Sequence, residues 1–305
     1  MLADVRPALS RFAPTAASAA TGVQVGAAIV ATRFVIGQTS PASLALLRYA
    51  IGFCCLLPPA LLARRGRLER RDLLPIALLG IVQFGVVVAL LNFALQHISS
   101  TRTALIFATF PLLTMILAAA LGTERLTQAK SLGVLVTLVG VGLALAEKAL
   151  AKTASAPHEW IGALAVFASA VSGALCSVLY RPYVRKYPTL PVSAFAMLAA
   201  VGFLAVLAAG EGFFRALPRF TTQGWLAVVF IGVSSGVGYF LWLWALGRTT
   251  PTRVAVFLAL SPVTAAGLGA AFLGEQITPL TLAGLACVAF GLWLAHRQQR
   301  VALAV

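Results

Sequence analysis

Neutral polar side chains occur inside long apolar runs of this sequence. They are two glutamines, an asparagine and several hydroxyl residues: Gln24, Gln83, Asn92, Thr109, Ser169, Ser172, Ser234 and Ser235. An amide buried in hydrocarbon is costly unless it has a partner, so Gln24 and Gln83 should face protein or a wet cavity. Such groups can bind the carboxylate and ammonium of a zwitterion without a fixed charge. A helix-to-helix hydrogen bond is the alternative for each of them.

Two aromatic residues follow in the segment YFLWLWAL. Tyr239 and Trp242 are three residues apart and share one face of a helix, where they would form an apolar wall for a small molecule. Trp244 is better explained as an interfacial residue.

Arg48 is the one full charge well inside an apolar run. It lies about 10 Å along a helix from the start of its run. It must therefore extend to the interface, bind backbone carbonyls, or contact an anionic group.

Acidic residues are absent from the centres of the runs. All eight lie in connections or near run ends: Asp4, Glu69, Asp72, Glu124, Glu147, Glu159, Glu211 and Glu275. A buried carboxylate with a tunable pKa is the usual proton relay of a membrane carrier, so direct proton antiport is disfavoured. No phosphate-binding GxxxxGK[ST] motif occurs, and His and Cys lack metal-ligand spacing. We expect no cofactor, metal or catalytic residue.

Composition identifies the elements that carry these residues. The 305 residues are 60% apolar and 10% charged, with mean hydropathy +0.96, which is typical of a membrane protein. Ten runs have about the 20 residues needed to cross a bilayer as a helix. We number them as spans 1 to 10; they run approximately over 15–37, 41–63, 73–96, 101–121, 128–147, 159–180, 189–210, 223–246, 252–273 and 278–296.

Basic residues predict the orientation. With both termini in the cytoplasm, 16 Lys and Arg fall on the cytoplasmic side and 5 on the opposite side. The net charge of +15 is dispersed over many short connections, which argues against a nucleic-acid partner.

The chain contains an internal duplication. Residues 94–144 match residues 245–295 at an offset of 151, with 16 identities in 51 positions and no insertion. The halves 1–150 and 151–305 each hold five spans. Because five is odd, the second half must enter the bilayer from the opposite face, so the fold class is all-α with two inverted five-helix repeats.

Inverted halves around a midplane site can open that site to one side and then to the other. Pro111 and Pro262 match and fall near the centres of spans 4 and 9, where a proline would kink the helix. Gly85, Gly236 and Gly238 are further candidate hinges. Helix curvature and close helix packing are the alternatives.

Several stretches resemble one known family. They are SPASLALLRY, the pair ALQHISSTRTALIFATFPLL and ALGRTTPTRVAVFLALSPVT, and the pair LGTERLT and LGEQIT. Together they resemble the EamA type of the drug/metabolite transporter superfamily across nearly the whole chain. The resemblance implies a bacterial inner-membrane carrier for small metabolites, often an amino-acid exporter, with a central cavity lined by helices of both halves.

The predicted function is export of amino acids, including aromatic and apolar ones, or of similar amphipathic metabolites. A drug or nucleotide-sugar carrier is the alternative within the same superfamily. A membrane-embedded enzyme or a scaffold subunit is the alternative outside it. The expected partners are a small-molecule substrate and the lipid bilayer, and the expected assembly is a monomer or a weak dimer.

Overall fold

The chain is helical through nearly all of its described length. The computed structural model describes residues 5–35, 37–62, 68–97, 106–150, 159–273 and 279–297, and no β-strand occurs in these ranges. Continuous apolar segments form helices in a membrane because a helix satisfies its backbone hydrogen bonds internally. The expected all-α class is confirmed.

The helices are numbered in chain order. The first half contains α1 Val5–Val35, α2 Pro41–Leu62, α3 Arg70–Gly80, a π-helix Ile81–Val86, α4 Val87–His97, α5 Phe110–Ala120 and α6 Gln128–Leu150. The second half contains α7 Glu159–Leu179, α8 Arg181–Lys186, α9 Thr189–Gly210, α10 Thr222–Arg248, α11 Pro251–Val256, a 3-10 helix Phe257–Ala259, α12 Leu260–Leu273 and α13 Pro279–Arg297.

Six helical segments in the described ranges are long and apolar enough to cross a membrane. They are Ala13–Thr32, Pro41–Leu62, Arg70–Ala94, Trp160–Lys186, Thr189–Gly210 and Thr222–Arg248. Four shorter apolar segments lie within spans 4, 5, 9 and 10: Phe110–Ala120, Gln128–Leu143, Pro251–Ala265 and Leu282–Gly291. The structure therefore has six candidate transmembrane helices, and the count of ten stays a prediction.

Span 4 differs from its prediction. Ile106 and Phe107 are helical, Ala108 and Thr109 form a turn, and α5 begins only at Phe110. Pro111 is in the first turn of α5, where a missing N–H removes no intrahelical hydrogen bond. In place of a kink inside a continuous helix, the helix is interrupted just before Pro111, and a hinge role of Pro111 stays a prediction.

Span 9 is interrupted at the matching place. The 3-10 helix separates α11 from α12, and Pro262 is the third residue of α12. Pro262 has no N–H for the carbonyl of Leu258, and the Ser261 hydroxyl donates to that carbonyl at 2.7 Å. In span 4 the Thr109 hydroxyl donates to Ile106 O, also at 2.7 Å. Both breaks thus occur within about one turn before the matched prolines, and a hydroxyl donates to a backbone carbonyl at each.

Glycines bring α6 and α13 into close contact. A Cβ placed on Gly140 would lie 2.7 Å from Gly284 O, and a Cβ on Gly291 would lie 2.7 Å from Gly133 O. Small residues let membrane helices approach to backbone contact, which supplies the packing energy that lipid-like side chains cannot.

The remaining helix pairs follow one pattern. α1 packs against α10 and α12, and α7 packs against α4 and α5. α2 and α9 pack against each other, while α2 also contacts α10 and α9 also contacts α3. The contacts of α1 with α10 and α12 thus resemble those of α7 with α4 and α5, and the inverted repeat stays a prediction.

Candidate functional site

Six aromatic side chains from five elements form a buried cluster. They come from α2, the π-helix, α5, the junction of α7 with α8, and α10, and none is more than 6% exposed: Tyr49, Phe84, Phe110, Tyr180, Tyr239 and Trp242. We call this set the aromatic cluster. It joins residues of both halves within the largest hydrophobic core of the described chain.

Phe84 is at the centre of the ring contacts. Its ring centroid lies 4.1 Å from that of Tyr239 in an edge-to-face arrangement and 4.9 Å from that of Tyr49. The Tyr180 ring lies 6.2 Å from Tyr239, and the Phe110 ring lies 6.1 Å from Trp242. Edge-to-face pairs at these separations are favourable, so the rings pack as a preformed apolar cluster.

The shared face expected for Tyr239 and Trp242 is observed, since both are buried in this cluster. The sequence analysis did not select Tyr49, Phe84, Phe110 or Tyr180. A signal was available for three of these, because Tyr49, Phe84 and Phe110 directly follow Arg48, Gln83 and Thr109 in the sequence. Tyr180 carried no such signal.

Arg48 lies at the edge of the aromatic cluster. Its Nε donates a hydrogen bond to Ser235 Oγ at 2.7 Å, and its guanidinium carbon is 5.4 Å from the Tyr49 ring centroid. Within the described part of the chain no carboxylate forms an ion pair with Arg48. The half-buried guanidinium therefore keeps donors available for an anionic group.

Gln24 and Ser234 lie away from the aromatic cluster, where α1 meets α10. Gln24 Nε2 donates to Ser234 Oγ at 3.3 Å across the interface of α1 and α10. A groove of about 420 Å³ runs along this interface, and its α10 side includes the exposed residues Phe230, Val233 and Val237. The groove opens on the outer surface of the bundle, whereas Arg48 and the aromatic cluster are inside. We place the candidate site at Arg48 for this reason.

Three other selected residues bind backbone carbonyls. The side chain of Asn92 donates to Pro41 O at 3.1 Å, Thr109 to Ile106 O at 2.7 Å, and Ser169 to Val87 O at 3.0 Å. Ser172 lies half-buried on α7. Structural hydrogen bonding thus accounts for the first three, and their contact with a substrate stays a prediction.

Gln83 is different because its polar group is unsatisfied. Its Oε1 is buried and has no hydrogen-bond partner in the structure, and the same holds for the hydroxyls of Tyr180 and Tyr239. Buried polar atoms without partners are rare in native proteins and mark places where a ligand or water completes the bonding. Two of these three atoms belong to the aromatic cluster.

The candidate hinge glycines lie at close helix contacts. A Cβ on Gly236 would lie 2.8 Å from Gly52 O, a Cβ on Gly85 would overlap the Phe203 ring, and one on Gly238 would overlap the Gln24 amide. These contacts explain why the positions are small, and their role as hinges stays a prediction.

A buried carboxylate joins two connections at one end of the bundle. Glu124, between α5 and α6, has a side chain that is 3% exposed and accepts hydrogen bonds from Lys130 Nζ at 2.8 Å and Thr252 N at 3.0 Å. Thr252 is in the first turn of α11, so Glu124 holds the start of α11 beside the end of α5. The matched Glu275 lies outside the described residues.

Replacing Glu124 by Ala should lower the free energy of unfolding by about 1–2 kcal/mol, because it leaves Lys130 and the Thr252 N–H without their acceptor. The measurement is thermal unfolding in detergent, followed by tryptophan fluorescence. Glu69 is the matched control: it binds Lys186 at 2.8 Å, which lowers the pKa of its carboxyl, but its side chain is 46% exposed. Glu69→Ala should have a much smaller effect. Equal losses in the two variants would contradict this role of Glu124.

Known proteins resemble this chain over most of its length. An "Uncharacterized transporter" of Archaeoglobus fulgidus is 26% identical over 276 residues, covering 90% of this chain and 95% of the relative. A "Probable terminal-alkyne amino-acid exporter" of Streptantibioticus cattleyicolor is 30% identical over 236 residues, covering 76% of each chain. A solved crystal structure superposes with a TM-score of 0.80 at 23% identity, covering 93% of this chain and 97% of that one, which shows a shared fold.

The family follows from a match to both halves. The model of the EamA-like transporter family matches residues 16–146 and, again, residues 160–297. The two matches together span most of the chain and coincide with the two halves of the duplication. The chain therefore belongs to the EamA-like transporter family, and it is a membrane transporter of small molecules rather than an enzyme.

Proposed function

We propose that this protein exports amino acids or similar small amphipathic metabolites across the bacterial inner membrane by alternating access. The observation that carries the proposal is Arg48, a cation inside a membrane helix with no described carboxylate partner, placed beside the aromatic cluster. A carboxylate on Arg48 and an apolar side chain against the cluster describe an amphipathic substrate. The substrate in the printed name of the Streptantibioticus relative, an amino acid, supports the same class.

The mechanism requires two inverted halves, and the glycine contacts of α6 and α13 support them. Gly140 meets Gly284, and Gly291 meets Gly133. Exchanging residues at the offset of 151 converts each contact into the other. Contacts that exchange in this way are expected when a two-fold axis relates the two halves. The interruptions near Pro111 and Pro262 are also matched, and discontinuous helices in inverted repeats are typical of carrier sites at the midplane.

We propose that the carrier works without a proton relay on a buried carboxylate. In the described ranges all six acidic residues lie at helix ends or in connections: Glu69, Asp72, Glu124, Glu147, Glu159 and Glu211. The side chain of Glu211, for example, accepts from the backbone of Ala42 and Ser43 at the start of α2. Export down a concentration gradient, or coupling through the substrate, is the favoured mode. Both termini are assigned to the cytoplasm on the distribution of basic residues.

Counterflow in proteoliposomes tests this proposal. Vesicles loaded with an unlabelled amino acid should accumulate the labelled one from outside, and a series of aromatic, apolar, polar and acidic amino acids would define the class. Accumulation should persist when the proton gradient is collapsed with an ionophore. Exchange of no amino acid would defeat the proposed class, and loss of exchange with the ionophore would defeat the proposed coupling.

A further inference from the structure

The two halves contain the same hydrogen bond between corresponding helices. Thr21 on α1 donates to Gly238 O at 3.2 Å, and Ser169 on α7 donates to Val87 O at 3.0 Å. Val87 and Gly238 are related by the repeat offset of 151. Thr21 and Ser169 are therefore equivalent, which relates α1 to α7 at an offset of 148.

A second pair of contacts shows that the offset changes within span 3. A Cβ on Gly80 would overlap the carbonyl of Ala196, and a Cβ on Gly232 would lie 3.1 Å from the carbonyl of Arg48. Arg48 and Ala196 are also 148 apart, so Gly80 corresponds to Gly232, at an offset of 152. The first half thus contains one extra residue between Gly80 and Val87.

The π-helix Ile81–Val86 occupies this interval. A π-turn accommodates one inserted residue in an α-helix, and such turns are frequent at functional sites. The insertion therefore changes which direction the side chains of this turn face relative to their counterparts on α10.

Gln83 lies in this turn, and its counterpart in the second half is engaged in packing. Under the offset of 148 Gln24 corresponds to Ser172, and Gln83, which lies where the offset changes, corresponds to Ser235 at 152 or Ser234 at 151. Both serine hydroxyls are bonded, Ser235 to Arg48 and Ser234 to Gln24. In one copy the amide of Gln24 closes on the hydroxyl of Ser234 at 3.3 Å. In the other copy Oε1 of Gln83 is buried without a partner. The extra residue coincides with the loss of this helix-to-helix bond.

We propose that Gln83 Oε1 is the acceptor for the ammonium group of the transported substrate, released for this purpose by the π-turn. The next residue, Phe84, contacts both Tyr49 and Tyr239, so the turn borders the aromatic cluster and, through Tyr49, Arg48. Aromatic ring faces add attraction for a cation. The assignment rests on the proposed function and specifies its substrate class: a primary amine that also carries a carboxylate.

The test uses labelled L-phenylalanine counterflow, with unlabelled L-phenylalanine and its deamino analogue 3-phenylpropionate as competitors. Gln83→Leu should raise the half-saturating concentration of L-phenylalanine about tenfold and leave inhibition by 3-phenylpropionate unchanged. Gln83→Glu should bind L-phenylalanine at least as tightly as wild type does, because a carboxylate attracts ammonium more strongly than an amide does. Gln128→Leu, at the exposed start of α6, is the matched control and should behave as wild type.

The outcomes separate this assignment from the proposed function. The ammonium assignment is overturned if wild type exchanges L-phenylalanine and the two Gln83 variants lose binding of L-phenylalanine equally. It is also overturned if Gln83→Leu reduces inhibition by L-phenylalanine and by 3-phenylpropionate to the same extent. If wild type exchanges no amino acid, the proposed function itself fails and the assignment fails with it. The amount of each variant incorporated into the same vesicles is measured, and its transport rate is divided by that amount.

Discussion

Replacing Arg48 by Met is expected to reduce amino-acid counterflow about 100-fold, because the charge-assisted hydrogen bonds to the substrate carboxylate are lost. The change also removes the bond to Ser235 Oγ, but Met fills the same space and avoids leaving an unpaired charge in the bundle. Arg48→Lys should retain part of the activity, since it keeps the charge and loses the planar fork of donors. Initial rates of counterflow over a range of substrate concentrations measure both effects.

Arg248 supplies the control for this experiment. Its guanidinium lies 3.9 Å from the Trp244 ring centroid at the exposed end of α10, away from the aromatic cluster. Arg248→Met removes one positive charge from the same protein and should leave the rates within about twofold of wild type, as expected for an exposed position. Wild-type kinetics in Arg48→Met, with normal insertion, would remove Arg48 from the site.

Replacing Gly140 by Leu should destabilise the protein by about 3 kcal/mol, because the side chain would enter the contact between α6 and α13. The Cβ alone would lie 2.6 Å from Val288 N and 2.7 Å from Gly284 O. These are backbone atoms, which cannot move away as the end of a flexible side chain can. Gly291→Leu should have a similar effect, since its contact with Gly133 is the reciprocal one. The unfolding midpoint in detergent measures both.

Gly142 is a matched control in the same helix. A Cβ at Gly142 has no atom within 4 Å, so Gly142→Leu should be neutral or stabilising by up to about 1 kcal/mol through helix propensity. A large loss for Gly140→Leu together with none for Gly291→Leu would argue against the reciprocal packing and hence against the inverted halves.

Helix positions were predictable to a large extent. Span 7 was predicted over 189–210, and α9 is Thr189–Gly210; span 6 was predicted over 159–180, and α7 is Glu159–Leu179. The predicted and observed bounds agree for a physical reason. The backbone of a continuous apolar run in lipid must form its hydrogen bonds within the run, so the length of the run determines the length of the helix. Hydropathy predicted neither the short helix α8 nor the interruption in span 4. α8 lies in a connection between spans, and the interruption lies inside an apolar run long enough for one helix.

The site was predictable only in its parts. Arg48, Gln83 and Trp242 were selectable because a polar or amphipathic side chain is unusual inside an apolar run. Their arrangement was not, since a membrane helix is apolar around its whole circumference and its periodicity carries little information about which face meets which neighbour. Gln24 shows the consequence: it was equally selectable, yet the structure places it at an outward-facing groove with Ser234.

By itself the sequence determined a membrane chain of apolar helices with a duplicated segment, because hydropathy, run length and the 151-residue match need no tertiary contact to be read. Only the tertiary structure decided that Phe84 joins Tyr49 to Tyr239, that Arg48 meets Ser235, and that span 3 holds one residue more than its counterpart. The physical reason is that one inserted residue lengthens an apolar run by a single position, which hydropathy does not detect. It rotates the side chains that follow, and their new directions have meaning only against the helices packed around them.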